Sequence, residues 1–321
     1  MAGHALILNT NRLRILREVA ARHTITAAAA ALYLTPPAVS HQLAVLEREV
    51  GVPLLERTAR SIRLTPAGKR LVEHAETILA ECEIALADVE SFSAEVSGTV
   101  RLSAFQTAAQ SIALPAMVAL RSQYPRLEVI ANDLEPTVAI PALKSAQLDI
   151  ALSHEWDYVP LPKEPALDRF GLLAEPIYAL LPAGHPLAGG PVHLADLADE
   201  DWCVAKESAA SRRAINRITS AAGFEPNVVL ESNYFRAIGA AVEAGLGVGI
   251  APQMTDLRGL NLIIQPLVDP AIHRRVMAVV RKGSGGSPTI RAVLDALLVA
   301  AEAASASADT DFPAGSKPPA R

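Results

Sequence analysis

The chain has 321 residues, half of them apolar and a fifth charged, which is an ordinary globular balance with room for two or three domains. Its long uncharged run 176–195 is broken by prolines and glycines, so a membrane span is not expected. The N-terminus has no basic flank leading into a long apolar core, so a secretory leader is not expected either. Cys82 and Cys203 are far apart in sequence and suit a reducing cytoplasm. The net charge of −5 hides an asymmetry: residues 1–70 carry ten Lys or Arg against four Asp or Glu, so the remainder is acidic. A basic unit on an acidic body fits a protein that touches phosphates with one part only.

In chain order, residues 1–10 read as an N-terminal arm and 11–65 as a small helical unit with a hairpin. Asn11 is the expected cap of a first helix whose face is Leu13, Leu16, Val19 and Ala20. Thr24 caps a short second helix. Thr35 then precedes Pro36 and Pro37, a cap followed by prolines where the missing N–H costs nothing. Val39, Leu43, Leu46 and Val50 follow as one apolar stripe, and Gly51 ends the helix. The opposite face carries Pro37, His41, Ala44 and Arg48, with Ser40 at its edge. A helix buried on one side and small and polar on the other suits the major groove. "LLERTARSIRLT" reads as two short strands around a turn with Arg57, Arg60 and Arg63, a basic wing placed for phosphates.

Thr65-Pro66 opens a long helix, taken as a linker over 66–97. Leu71, Ala75, Ile78, Cys82, Ala85, Val89 and Phe92 alternate spacings of four and three, a heptad seam. Seven acids and no Lys or Arg between Leu71 and Ser97 keep this helix off DNA. Burial against its own domain would also explain the stripe; dimerisation is favoured.

From Gly98 short strands alternate with helices: "TVRLSAF", a helix over 108–124, a strand over 127–131, a helix over 136–146 and "LDIAL". After a Pro-rich crossover a second set begins at "PIYALL" and runs through "GVGIA", before "LIIQPL" returns the chain to "RRVMAVV" and a closing helix. Repeated βαβ units predict parallel sheets in two lobes, 98–165 plus 267–302 and 166–266, with a cleft between them. Ligands in such folds meet strand ends and helix N-termini. The strand-to-helix turns offer Gln106, Thr107, Pro136, Thr137, Ser153, His154, Ser208, Ser211 and Asn233, each also readable as a cap or turn former. Residues 303–321, rich in Ala, Ser and Pro, read as a disordered tail.

The stretch "TITAAAAALYLTPPAVSHQLAVLEREVGVPLLERTARSIRLTPAGKRL", with "GTVRLSAFQ", "LPAGHPLA" and "VEAGLGVGIAP", resembles the LysR-type transcriptional regulators over nearly the whole chain. The resemblance implies an α/β protein: a winged helix-turn-helix, a linker helix and a two-lobed effector domain like that of periplasmic binding proteins. It places Thr35, Pro36, Pro37, Ser40 and His41 in the groove, Thr26 on the DNA backbone, and Arg57, Arg60 and Arg63 in the wing. Members often carry a basic residue at the positions of Ala27 and Ala44, so here the wing and the dimer geometry are expected to carry more of the binding, with a flatter salt dependence. It makes Thr107 the foremost effector contact.

The implied protein is a cytoplasmic homodimer or homotetramer on an interrupted inverted repeat of double-stranded DNA, with RNA polymerase a candidate partner. Its small-molecule effector is expected to be anionic or polar, given Arg212, Arg213 and Arg236. No cofactor loop, metal-ligand spacing or nucleophile with its base is visible, so no enzyme is expected: the eight histidines are scattered, and "GLGVG" leads into a strand rather than a helix. The alternative is a two-lobed small-molecule binding protein without a transcriptional role, which would leave the basic winged unit and the acidic helix unexplained.

Overall fold

The computed structural model describes residues 8–57, 62–92 and 95–311. The N-terminal unit is built from α1 (Thr10–Arg22), α2 (Ile25–Ala31) and α3 (Pro36–Val50). The first cap is Asn9, not Asn11: its Oδ1 accepts the N–H groups of Asn11 and Arg12 at 3.0 and 3.2 Å. Thr24 and Thr35 cap the next two helices by accepting from Ala27 and Ala38, and Gly51 closes α3 at φ 74°. Leu13, Leu16, Val19, Ala28, Ala29, Val39, Leu43 and Leu46 lie in the core, so the stripes read from spacing are buried except at their ends, where Ala20 and Val50 are half-buried.

The wing is an antiparallel pair, β1 (Leu55–Arg57) and β2 (Ile62–Leu64). Glu47 on α3 ties it down by accepting the N–H groups of Leu54 and Leu55 at 2.8 and 3.1 Å. The long helix α4 (Pro66–Ser91) starts at a Thr65 cap. Here Gly68 is needed because the chain passes close: a Cβ would lie 2.2 Å from the Leu54 carbonyl oxygen.

The heptad seam on α4 is divided. Ala75 is fully buried, and Leu71, Val72 and Ile78 pack beside it against the helical unit, whose three short helices need this fourth apolar face to close their core. Further along, Ala80 and Ala87 are buried and Ile84 lies against the turn at Gly283, where the body docks. On the other side Ala85 is open, as are Leu86, Val89 and Phe92 at 62, 69 and 90% exposure.

The body begins with β3 (Gly98–Ala104), α5 (Gln106–Ala108), a π-helical turn at Ala109–Ala113 and α6 (Leu114–Gln123). Then come β4 (Leu127–Asp133), α7 (Pro136–Lys144), β5 (Ile150–Trp156) and a 16-residue strand, β6 (Leu167–Pro182). The second lobe holds β7 (Val192–His193), β8 (Asp201–Val204), α8 (Ala210–Ala221), β9 (Asn227–Glu231), α9 (Phe235–Glu243), β10 (Val248–Pro252) and β11 (Leu262–Val268). The chain returns through β12 (His273–Arg281) to α10 (Pro288–Asp311).

Two sheets share β6. Its first half pairs with β12 in the order β4-β3-β5-β12-β6, and its second half pairs with β10 and β11 beside β8 and β9. The lobe boundary at residue 166 therefore falls too early, since residues 167–176 belong to the first sheet. The sheets are also mixed, not purely parallel. β4, β3 and β5 run parallel, as do β10, β8 and β9, but β12 and β6 run antiparallel to their neighbours. β5 and β6, both antiparallel to β12, run the same way and are joined by the helix-free link 157–166; the reversed strand between them is β12, which arrives from the second lobe. The tail expected from 303 onward is helical as far as Asp311, because an Ala-rich run has high helix propensity and α10 is already anchored by Ala300 and Ala301. Residues 312–321 lie outside the described residues, as do 1–7 of the arm and residues 93 and 94 of the linker.

Candidate functional site: a DNA-reading face and an interlobe cleft

On the helical unit, Thr26, Thr35, Pro36, Pro37 and His41 are exposed and Ser40 is half-buried, all at the N-terminal ends of α2 and α3. Arg63 is exposed on β2; Arg60 and the side chain of Arg57 lie outside the described residues. Gln42 turns its Oε1 toward α1, accepting from Arg12 Nε at 3.1 Å. Arg12 in turn pairs with Glu49 at 2.5 Å, fastening α1 to α3. Sequence reasoning passed over Tyr33, which is 85% exposed at φ 52° in the turn just before α3.

The second surface lies between the lobes. From the first lobe it is lined by Phe105, Gln106, Thr107, Glu135, His154, Trp156 and Arg274; from the second by Ala205, Ala209, Ala210, Ser211, Asn233 and Phe235. Strand register explains its centre. Arg274 on β12 stands opposite Trp156 on β5 and opposite Glu175 on β6, so the three form one row across the sheet. The guanidinium bonds Glu175 at 2.6 Å and donates to Thr107 Oγ1 at 2.9 Å. Its face lies 5.2 Å from the Phe105 ring and 5.9 Å from that of Trp156. Glu175 also accepts the Met254 N–H at 2.7 Å. Both charges are buried, at 1 and 3% exposure, and only this mutual satisfaction makes their burial tolerable.

His154 sits edge-on to Phe105 at 4.6 Å. Burial, with the Arg274 and Arg213 charges adding to it, pushes its pKa down to about 3, so the ring is neutral. Its Nδ1 and the Nε1 of Trp156 are buried without a partner in the protein. At the mouth, partial burial and then the Asp133 carboxylate raise Glu135, with Arg274 opposing them.

Of the residues expected here, Gln106, Thr107, His154, Ser211 and Asn233 are brought together, and Pro136 is not. Thr137 is exposed on α7, Ser153 is fully buried within β5, and Ser208 is exposed with its carbonyl accepting from Arg213 at 2.8 Å; none of the three lines the cleft. Arg212 is held by Glu231 at 2.7 Å and Arg236 by the carbonyls of Asp256 and Arg258, so neither lines it. Sequence reasoning missed Arg274 and Glu175. The signal was charge beside otherwise apolar runs: the Arg274–Arg275 pair that opens "RRVMAVV" and the single Glu175 inside "LLAEPIYALL".

Among the described residues no group of His, Cys, Asp or Glu could hold a metal ion, and no helix is long and apolar enough to cross a membrane. A winged helix-turn-helix joined by a long helix to a two-lobed α/β domain defines a DNA-binding regulator with a ligand domain. The chain belongs to the LysR family: residues 10–69 match the bacterial regulatory helix-turn-helix protein, lysR family, and residues 93–301 match the LysR substrate binding domain. It is 33% identical to the transcriptional dual regulator GltC of Bacillus subtilis, over 77% of this chain and 82% of that one. It is 32% identical to the HTH-type transcriptional regulator CysB of Burkholderia cenocepacia, over 80 and 83%. Full-length OxyR C199D from Pseudomonas aeruginosa shares the fold, with TM-score 0.63 at 21% identity over 91 and 95% of the two chains. The protein is a LysR-type DNA-binding transcriptional regulator, and the two relatives are likewise transcriptional regulators.

Proposed function

We propose that the protein acts in the cytoplasm as a homodimer or homotetramer, reads an interrupted inverted repeat, and changes its hold on that DNA when a small molecule enters the interlobe cleft. The observation that carries this reading is the convergence of both lobes on one polar centre. Thr107 and Arg274 of the first lobe face Ser211 and Asn233 of the second across a space of about 30 Å3. That space holds little more than water, so a metabolite requires a different lobe separation, and a ligand that prefers one separation shifts the population.

The reading also refines the ligand. Arg274 is already neutralised by Glu175, and Arg212 and Arg236 are tied within their own lobe, which leaves Arg213, whose charge reaches His154, as the one of the three expected cations that still favours an anion. A polar effector with a planar part suits the walls of Phe105, Trp156 and Phe235, the last two stacked at 6.4 Å. On the DNA side, Ser40, His41 and the two prolines read the groove, and Arg57, Arg60 and Arg63 hold phosphates. Ala85, Val89 and Phe92 supply the open face for pairing linker helices, and RNA polymerase is a further partner.

Selection of genomic fragments by the purified protein tests the DNA half: a few enriched fragments sharing an inverted repeat are expected, and no enrichment at moderate salt would refute it. Thr107→Val tests the other half. A reporter on an enriched promoter should lose its response to growth conditions while apo binding stays intact; an unchanged response would remove Thr107 from the effector site. Coupling is reciprocal, so operator DNA must change effector affinity by the factor that effector changes DNA affinity.

A further inference from the structure

A second cavity, of about 290 Å3, opens where the DNA-binding unit, the linker helix and the first lobe meet. Its walls bring Arg14 and Arg17 from α1, Lys144 from the end of α7, and Arg281 and Lys282 from the end of β12 together with only two carboxylates, Glu76 and Glu83. Two of the five cations are matched: Lys144 is paired with Glu164, and Arg281 bonds Glu83 at 2.8 Å and Asp149 at 3.4 Å. The others are not. Arg14 reaches only the amide oxygen of Asn11, at 3.2 Å. Arg17 is 92% buried, by its 8% exposure, yet its nearest carboxylate is Glu18 at 3.9 Å, and Glu18 is held by Arg22 at 3.1 Å.

Arg17 does donate to the Lys144 carbonyl, but its Nε, like that of Arg14, is buried with no partner. Burial lowers the Arg17 pKa, Glu18 and Glu76 oppose that, and the nearby Arg14 and Arg281 charges lower it further. A buried guanidinium among like charges, with an N–H unspent, is costly unless an anion completes it.

We propose that this junction binds a small oxyanion, with inorganic phosphate its smallest form and a phosphorylated metabolite its larger one. The unspent donors of Arg14 and Arg17 and the ammonium of Lys282 hold the oxygens, while Leu79 and Ala80 supply an apolar wall for a larger body. Arg14 and Arg17 belong to the DNA-binding unit and Lys282 to the effector domain. A bound anion therefore clamps one to the other and sets where the recognition helix stands relative to the ligand domain.

The test uses the full-length protein without DNA, titrated calorimetrically with phosphate against chloride at matched ionic strength. Wild type should show saturable phosphate binding. Arg14→Gln with Lys282→Gln, both outside the hydrophobic core, should weaken it about tenfold or more, the worth of a charged hydrogen bond. Arg63→Gln on the wing should leave it unchanged. No saturable binding, binding intact in the double variant, or binding lost with Arg63→Gln would each overturn the site. Phosphate should also slow amide exchange along α1 and around 144–147; binding without that protection would overturn the clamp.

Discussion

The DNA-reading face and the interlobe cleft are built in opposite ways. The residues proposed for the first come from one short stretch, Thr26 to Arg63, and those described are placed by their own helix cap or strand. The cleft's central contact joins Thr107 to Arg274 across 167 residues, and Glu175 reaches Arg274 across 99. The first surface is therefore a local object that tolerates change elsewhere, whereas the second exists only when two strands from distant parts of the chain align in register. Breaking the buried Arg274–Glu175 pair should destabilise its whole domain, whereas removing an exposed side chain of the DNA face such as Arg63 should leave a folded protein that binds less well.

The largest effect is expected from Glu175→Gln, which leaves Arg274 buried without its countercharge and should cost about 3–5 kcal/mol. Both tryptophans, Trp156 and Trp202, are buried in the effector domain, so their fluorescence during urea unfolding reports that domain alone. A midpoint unchanged from wild type would dissolve the contrast.

Acid should act on the same domain through His154. Its native pKa of about 3 lies below the ordinary 6.5, so the unfolded chain takes up a proton that the native ring refuses. The stability this confers is present above pH 6.5 and is lost progressively as pH falls from there toward 3. His154→Asn should flatten that part of the pH profile, and an identical slope would refute the neutral ring.

In the winged unit, Gly68→Ala should cost about 1–3 kcal/mol through the clash with the Leu54 carbonyl. Thr35→Ala should cost about 1 kcal/mol as a lost cap. Both should appear in thermal melts as lowered stability of that unit, while the tryptophan transition stays put. Smallest of all, Arg63→Gln should reduce the slope of log affinity against log salt by about one, with little change in which sequences are preferred. A steep slope in the wild type, like that of an arginine-rich relative, would refute the reliance on the wing that Ala27 and Ala44 imply.

This contrast also governs what could be read from sequence. The Thr35-Pro36-Pro37 start, the Val39–Leu43–Leu46 stripe and the Gly51 stop are nearest-neighbour chemistry, and the structure shows each in place. The heptad on α4 was visible, but not its division, because Ala75 and Val89 have the same spacing while one meets the helical core and the other meets solvent. In the body, strands and helices were legible in order, yet strand direction was not, since a βαβ rhythm does not say when a chain returns reversed. Residues read from turns line the cleft where a turn faces the other lobe, as at Gln106 and Asn233. Thr137, Ser153 and Ser208 do not line it, though their local sequence looks no different. Arg274 demanded knowledge of β12's neighbours, which only tertiary structure supplies.

The strand shared by both sheets acts as a keel. Because β6 pairs with β12 up to Pro176 and with β10 and β11 beyond it, the lobes cannot swing as two bodies on a slack tether. Opening has to be absorbed as torsion where the partners change, a mode that a twisted ladder accommodates without losing its bonds. Glu175 sits at that changeover with one oxygen on Arg274 and the other on the Met254 N–H. The residue that neutralises the cleft is thus also at its pivot, so strain in the keel and charge in the cleft are felt by the same carboxylate.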